Sequence, residues 1–394
     1  MSDPLSAKVL MNHVRVLASD IGPRPTGQPA EDQARDYIQQ VLSEHGIDSV
    51  EQQSFQTRPT IGIGVSIPLV LTLVANALSL AGRFASFLAG ALTFMSAASV
   101  WRLFSGQRSL LEVLEPKVTS ANLIARIPAA TERHQTLVFI GHVDSQKKQL
   151  LTEAHVKPFM LRASTTWLGL LLVNSLALFT QHTRLKWLAR IVQWVSAVML
   201  GNVFQQALNE ERHSYVAGAN DNATAVACLL GLGEQFQANP LQHTEIWLAF
   251  TGAEEVLCTG LHHLLDTYGP ELRDAWFIDF EMVGTNDIAY VTKHSGLSLL
   301  NAYTPDRASL NLATQTSQRH PELEVHGREM VMVEEVGTLR GRGFRGICLV
   351  GVGSDGWLAN WHQYSDVTEN IVPSGIERAA KFAHGMAQEI DRMQ

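Results

Sequence analysis

Four long uncharged stretches stand out in the pattern of apolar and polar positions along the chain. They cover residues 60–82, 84–101, 163–183 and 191–209. Arg83 separates the first two, and a basic segment from Arg184 to Arg190 separates the last two. Because a bilayer core of about 30 Å takes roughly 20 apolar residues per helix, the first three stretches are long enough to cross it. The fourth is strongly apolar only over residues 191–204.

The pairing of these stretches favours two membrane hairpins. Helices in the core of a soluble protein usually keep a polar stripe, which these stretches mostly lack. Two hairpins also return the chain to its starting side, so the remaining segments would lie on one face of the membrane. More Lys and Arg residues flank the hairpin bases than the tips, and the positive-inside rule then favours a cytoplasmic position for those segments. The alternative is a set of buried helices in a soluble protein, or an apolar lid that dimerises.

The segments outside the hairpins alternate between strand-like and helix-like patterns. Residues 1–58 are predicted to form a helix, a loop, a second helix and a strand. Strand-like runs follow at residues 120–127, 136–140, 244–250, 276–280 and 346–352, and helix-like runs at 223–237, 260–265 and 376–392. This alternation predicts an α/β fold with a mostly parallel central sheet and helices on both faces, interrupted by the two apolar helical hairpins.

Composition narrows the classes of function that the chain can have. Hydrophobic residues make up 46% of the 394 residues and charged residues 17%, which argues against a disordered chain. A net charge of −8 argues against a nucleic-acid partner, since phosphates call for a basic surface. The three cysteines, Cys228, Cys258 and Cys348, are too few and too scattered for a disulfide framework or a thiolate zinc site.

Polar clusters follow the predicted strands or precede the predicted helices. His142 and Asp144 end one strand and share one side of it, so Asp144 could accept a hydrogen bond from the imidazole of a metal-bound His142. Asp221 opens a helix, where it could bridge two metal ions or simply cap the helix. Glu254 and Glu255 are adjacent after a third strand, and two neighbouring carboxylates call for a cation or a shared proton.

Two further clusters complete the set. Asp279 and Glu281 share one face at the end of another strand, and His362 lies near Asp366 after the last one. Each cluster alone has a structural explanation, such as a helix cap, an acidic turn or a surface histidine. Together they offer two imidazoles and several carboxylates, a ligand set that suits zinc better than manganese or cobalt.

These motifs resemble metallopeptidase family 28, the co-catalytic di-zinc aminopeptidases and glutamate carboxypeptidases. The matching stretches, in the family's order, are GHVDS, GANDNAT, FTGAEE, FIDFEMVG and WHQYSDVTEN. Residues 17–27 also resemble the family's entry segment. The resemblance implies a zinc peptidase domain of the zinc exopeptidase type, built from residues 1–58, 118–160 and 210–394. Residues 59–117 and 161–209 would be apolar helical hairpin insertions.

The resemblance also implies two zinc ions per chain and a role for each motif residue. The implied ligands are His142 and Glu281 for one ion, Glu255 and His362 for the other, and Asp221 for both. Glu254 would be the general base, and Asp144 would orient His142. Glu281 departs from the family, which usually has Asp at this position, and Asp279 is the fallback ligand.

The implied function is that of a zinc-dependent exopeptidase, foremost an aminopeptidase, that hydrolyses peptide bonds. Glu254 would take a proton from the attacking water and pass it to the leaving amine. Glutaminyl-peptide cyclotransferase activity on the same fold is the first alternative, and a non-catalytic membrane scaffold is the second. The expected partners are a peptide substrate and a membrane, which the hairpins would enter, without nucleic acid. The oligomeric state stays open.

Overall fold

A central eight-stranded sheet organises the computed structural model, which describes residues 3–393. Its strands are β1 (Val50–Thr57), β2 (Val118–Ile127), β3 (Gln135–His142), β4 (Thr244–Thr251), β5 (Trp276–Glu281), β6 (Asp287–His294), β7 (Val325–Met330) and β8 (Ile347–Val352). Their spatial order is β1-β2-β4-β3-β5-β8-β6-β7. In the middle, β4, β3, β5 and β8 are parallel neighbours, and antiparallel pairs join them to β2 on one side and β6 on the other. The predicted α/β fold is confirmed, and its parallel pairing is concentrated in the centre of the sheet.

Helices cover both faces of the sheet, as the alternation predicts. The helices are α1 (Ala7–Arg15), α2 (Pro29–Glu44), α3 (Ile61–Leu78), α4 (Arg83–Phe104), α5 (Met160–Thr180), α6 (Lys186–Glu210), α7 (Thr224–Ala238), α8 (Thr259–Tyr268), α9 (Arg307–Arg319), α10 (Glu335–Gly341) and α11 (Pro373–Arg392). On one face, α1, α2, α7, α9 and α11 share a core with Phe139 and Phe250. On the other, α8 and α10 pack around Val138 and Trp247.

Local sequence explains where several of these elements form. Pro29 begins α2, and Glu31 and Asp32 occupy its first turn, where a fixed φ and negative charge favour a helix start. The central strands are apolar on both sides because successive side chains point to opposite faces and each face is covered by helices. Residues 137–140 of β3 are therefore all buried.

The two hairpins pack together into one four-helix bundle, which consists of α3, α4, α5 and α6. α4 packs against α5 and α3 against α6, and Leu69, Ala97, Leu168 and Leu200 meet in the bundle core. Each of the four helices is long and apolar enough to cross a membrane. This includes the 25-residue α6, although the strongly apolar part of the fourth stretch is shorter than the helix.

The sequence pattern does not predict the strands β6 and β7 or the helices α9 and α10. β7 lies at the edge of the sheet and has the sequence VHGREM, of which only its first and last residues are buried. An edge strand with one exposed face needs few apolar residues, so it gives little signal in the sequence.

Candidate metal centre

The residues predicted to form the site meet at the carboxyl edge of the central strands. They are His142 at the end of β3, Asp144 just after it, Asp221 before α7, Glu254 and Glu255 after β4, Glu281 at the end of β5, and His362 in the loop after β8. Neighbouring parallel strands end at the same edge of a sheet, so residues far apart in sequence are brought together there. Six of the seven are buried, and Glu254 is partly buried.

Three of these residues form a first group of potential metal ligands. The ligand atoms of His142, Asp221 and Glu281 all lie within 4.8 Å of one another. Nε2 of His142 is 3.2 Å from Oδ1 of Asp221 and 3.8 Å from Oε2 of Glu281. The Glu281 side chain, which is longer than that of an aspartate, therefore reaches the first group. The fallback ligand Asp279 is not part of this group.

A second group shares Asp221 with the first. Nε2 of His362 lies 3.2 Å from Oδ2 of Asp221 and 3.1 Å from Oε2 of Glu255. The ligand atoms of these three residues also lie within 4.8 Å of one another. Asp221 thus directs one carboxylate oxygen to each histidine, which is the arrangement a bridging carboxylate needs.

The charges of the centre call for a cation. Four acidic side chains surround the two imidazoles, namely Asp221, Glu254, Glu255 and Glu281. Burial raises the pKa of Glu254 and Glu281 well above the ordinary range, and the neighbouring acids add to the shift. Oε1 of Glu255 is buried without a hydrogen-bond partner. Imidazole and carboxylate donors are those that zinc prefers when thiolates are absent, so the residues fit this metal.

Asp144 contributes to the site through both its main chain and its side chain. Nδ1 of His142 donates to the carbonyl oxygen of Asp144 over 3.1 Å, and this contact directs Nε2 into the site. The Asp144 carboxylate is 3.6 Å from the same Nδ1, too far for a hydrogen bond. It instead accepts from the backbone N–H groups of Glu254 (3.1 Å) and Glu255 (3.2 Å) and from the hydroxyl of Thr26 (2.8 Å). The Asp144 side chain therefore positions the turn that carries the two glutamates.

The polar residues around Asp221 fix the loop before α7. The Asp366 carboxylate accepts from the backbone N–H groups of Asn220 (2.6 Å) and Asp221 (3.2 Å). Asn222 donates from Nδ2 to Oε2 of Glu281 over 3.2 Å. The asparagines on either side of Asp221 thus tie it to the loop of His362 and to the end of β5.

Arg24 supports the site, and the sequence patterns do not single it out beyond its place in the entry segment. Its fully buried guanidinium donates to the carbonyl oxygens of Leu17, Gly22, Val143, Ala217 and Gly218. Burial lowers the pKa of Arg24 to about 10. Because its partners lie in the segment after β3 and in the loop before Asp221, Arg24 holds together two of the loops that supply metal ligands. The Gly-Pro-Arg-Pro-Thr-Gly sequence at residues 22–27 is the only signal of it.

A neighbouring buried acidic cluster lies behind Glu281. Asp279 belongs to it with Glu334 and Cys348, whose ligand atoms lie within 4.8 Å of one another, and both oxygens of Asp279 are buried without partners. Nδ1 of His294 is 2.7 Å from Oε1 of Glu334. Burial raises the pKa of Asp279 well above its ordinary range. Glu334 and His294 come from segments with no site-like pattern, so sequence reasoning missed this cluster.

A cavity extends from the metal centre to the four-helix bundle. Its walls include Asp221, Glu254, Glu255, Glu281 and His362 at one end. At the other end the walls are formed by the parts of all four bundle helices that lie nearest the metal centre. These parts contribute Ile61, Val65, Phe104, Met160, Trp167, Val203, Ala207 and Glu210. Among the described residues, no Lys or Arg lines this cavity.

Comparisons with known proteins agree with the fold. Residues 204–387 match the model of peptidase family M28. A zinc aminopeptidase from Bacillus subtilis superposes with a TM-score of 0.58 at 14% identity, over 99% of this chain and 96% of that chain. An aminopeptidase from Aneurinibacillus sp. strain AM-1 gives 0.58 and 14% over 98% and 93%. A glutaminyl cyclase from an Acidobacteriales bacterium gives 0.56 and 14% over 100% and 96%. At these identities the likeness establishes the fold alone, and a search of curated proteins finds no match.

Proposed function

We propose that this protein is a membrane-anchored aminopeptidase with two zinc ions. Residues 204–387 belong to peptidase family M28, and the described chain has the fold of zinc exopeptidases. The observation that carries the proposal is the position of Asp221, which faces His142 with one oxygen and His362 with the other. Such a shared carboxylate is what a pair of metal ions about 3.5–4 Å apart requires.

Each residue of the centre has a role in this proposal. His142 and Glu281 would hold one zinc ion, Glu255 and His362 the other, and Asp221 both. Bound zinc would supply Lewis acidity, which lowers the pKa of water and polarises the scissile carbonyl. Glu254 would take the proton from the attacking water and deliver it to the leaving amine. Glu254 belongs to neither ligand group, so its carboxylate is available for this proton transfer.

The charges in the cavity favour an aminopeptidase over a carboxypeptidase. A substrate carboxylate would need a cationic partner, and arginine is the usual one. Within the described part of the chain the cavity wall has no Lys or Arg, and it contains Glu210 and Glu334 besides the acids of the centre. Away from the metal ligands, a free amino group would therefore find acidic side chains in this cavity, whereas a substrate carboxylate would find no cationic one.

Glutaminyl cyclase is the second candidate, because structures of such enzymes superpose on this chain as well as aminopeptidases do. Asp221, Glu255 and His362 alone would suffice for a single zinc ion. The first group, with His142 and Glu281 intact and buried, favours the two-metal aminopeptidase, because these two residues would have no ion to bind in a single-zinc enzyme.

The arrangement of residues in the bundle supports membrane insertion. The buried positions of α4 include Ser86, Ala89, Gly90, Thr93, Ser96 and Ala97, whereas Phe84 and Phe87 are exposed. Membrane helices pack through small residues and expose large apolar ones to lipid. This supports residues 59–117 and 161–209 as membrane insertions in a peptidase domain of residues 1–58, 118–160 and 210–394.

Metal analysis combined with peptide hydrolysis tests the proposal. We expect two zinc ions per chain in the purified protein and one in Glu281→Ala. The matched control is Asp279→Asn, which replaces the carboxyl group two residues away on the same strand face and should keep two. Peptides with a free amino terminus should be cleaved and N-acetylated ones should not. Failure to retain zinc when it is supplied in excess would overturn the assignment, and a single ion with cyclisation of N-terminal glutamine would favour the cyclase.

A further inference from the structure

The catalytic cavity continues between the helices of the bundle instead of ending at its surface. Trp167 lines it seven residues after the start of α5 at Met160, and Val203 lines it seven residues before the end of α6 at Glu210. With a rise of 1.5 Å per residue, the apolar part of the cavity reaches about 10 Å into the bundle. That is two helical turns beyond the level at which the bundle meets the catalytic domain.

The two ends of the cavity differ in chemistry. The lower end carries the acids of the metal centre, with Glu210 and Glu334 beside them. The upper end is lined by apolar side chains such as Val65, Trp167 and Val203. An occupant that matches both ends is an amphiphile with an amino group at one end and an apolar chain next to it.

Resting on the proposed aminopeptidase function, we propose that the natural substrate is an amine-terminated amide whose first residue carries a long alkyl or acyl chain. This alkyl or acyl chain is longer than the side chains of the common amino acids. It lies between the bundle helices while the amide of the substrate faces the metal centre. A compound of this kind partitions into bilayers, which agrees with a catalytic cavity whose roof is built from membrane-type helices.

The bundle core limits how long this chain can be. Leu69, Leu171 and Leu200 are fully buried and close the core above the cavity. Beyond them Asn76 and Asn174 hydrogen-bond to each other across the bundle (3.0 Å). An alkyl chain gains contact until it reaches the leucines and cannot extend further without displacing them.

The test uses aminoacyl amides that differ only in the length of an unbranched side chain, from methyl through butyl and octyl to hexadecyl. The zinc-loaded full chain is assayed in phosphatidylcholine nanodiscs. Each buried methylene contributes about 0.8 kcal/mol, or roughly a four-fold change in kcat/KM. We therefore expect an increase on the order of a hundredfold from butyl to octyl and no further increase for hexadecyl.

Two substitutions on the same helix separate the cavity from the bilayer. Val203→Trp fills the upper end of the cavity and should lower the octyl-to-methyl ratio of kcat/KM at least ten-fold. Val198→Trp, at a position exposed on the outer side of α6, should leave the ratio unchanged. Because both variants are assayed in the same nanodiscs, the partitioning of the substrates into lipid affects both equally and does not contribute to the difference between them. Val203→Leu is a smaller change and should lower the octyl-to-methyl ratio of kcat/KM less than Val203→Trp does. It provides a second measurement in case the tryptophan variant misfolds.

The outcomes distinguish this inference from the function on which it rests. Cleavage of the methyl and butyl amides with no gain for octyl, or equal ratios in Val203→Trp and Val198→Trp, would overturn the long-chain substrate and leave the aminopeptidase standing. If no amide is cleaved by zinc-loaded protein, both proposals fail together.

Discussion

Exposed large apolar side chains are concentrated on the four-helix bundle, whereas most of those in the α/β domain are buried. Trp247 and Phe139 are fully buried in the domain, whereas Phe84 is 76% exposed and Trp187 64% exposed on the bundle. This difference is what we expect if water surrounds the domain and lipid surrounds the bundle, as we propose. Water drives apolar groups into a core, whereas lipid does not distinguish them from its own chains.

The buried polar groups of the two regions also differ. In the bundle, Asn174 donates to Asn76, to the Gln193 carbonyl and to the Ser196 hydroxyl, so its amide is satisfied by neighbouring helices. In the metal centre, Oε1 of Glu255 has no partner and acids outnumber imidazoles. Neutral groups that bond to one another hold helices together, whereas a set of acids around two imidazoles prepares a place for a cation.

The largest expected effect is on catalysis, and it comes from a substitution in the α/β domain. Glu254→Gln removes the proposed proton acceptor but leaves both ligand groups, so kcat should fall by about 10²–10⁴-fold while two zinc ions stay bound. Turnover of a free-amine peptide and the zinc content check this. Glu329→Gln, at an exposed glutamate, is the matched control and should have no effect. Near-full turnover in Glu254→Gln would remove Glu254 from its role.

The next effect tests the bundle as a lipid-facing surface. Val198 is 65% exposed on α6, and Val198→Arg would place a charge against hydrocarbon at a cost of about 2.5–3.5 kcal/mol. We expect a large loss of membrane-inserted protein, measured by membrane fractionation. Val113, which is also exposed but lies outside the four apolar helices, gives the control Val113→Arg. Similar yields of the two variants would contradict membrane insertion and return the bundle to an apolar lid in water.

The same contrast explains how much of the fold the sequence predicts. Strands such as β3 and β4 are continuous apolar runs because helices cover both faces of the central sheet, and the hairpin helices are uncharged because lipid is expected around them. β7 is half exposed at the sheet edge and has only two buried residues, so no periodicity marks it. The packing of the two hairpins into one bundle depends on contacts between segments far apart in the sequence, α4 with α5 and α3 with α6, which no local pattern contains.

The site follows a similar division. His142, Asp221, Glu255 and His362 are predicted because each follows a strand or opens a helix, and the ends of neighbouring elements converge. Arg24 is not predicted, since its partners are backbone carbonyl oxygens, which every residue possesses. Its role becomes visible only when the loops are seen side by side.

Arg24 gives a third, smaller effect, on zinc affinity. Arg24→Lys keeps the charge but cannot donate in several directions at once, so the loops after β3 and before Asp221 lose part of their support. We expect zinc to bind 10–100-fold more weakly, as is usual when groups that orient metal ligands are changed. Competition with a chelator measures this. Arg15→Lys, at an exposed arginine paired with Asp20, should retain wild-type affinity, and equal affinities in both variants would show that Arg24 has no positioning role.

The smallest effect concerns the junction between the two regions and depends on pH. His262 on α8 is buried beside Arg108, which follows the first hairpin, and burial together with this arginine lowers the pKa of His262 from 6.5 to about 4. The unfolded chain therefore takes up a proton in this window that the folded chain does not, and the free energy of unfolding falls as the pH drops from 6.5 towards 4. At pH 5 this lowers the free energy of unfolding by about 2 kcal/mol. The His262→Gln variant should not show this decrease.

Thermal unfolding in detergent at pH 7.5 and pH 5 measures this difference. The melting temperature of the wild-type protein should fall more between the two conditions than that of His262→Gln. His326→Gln, at a half-exposed histidine in the sheet edge strand β7, should follow the wild type. If His262→Gln instead loses as much stability on acidification as the wild type, the junction tolerates a charged imidazole. The contact region between the bundle and the α/β domain would then be more hydrated than the burial of His262 indicates.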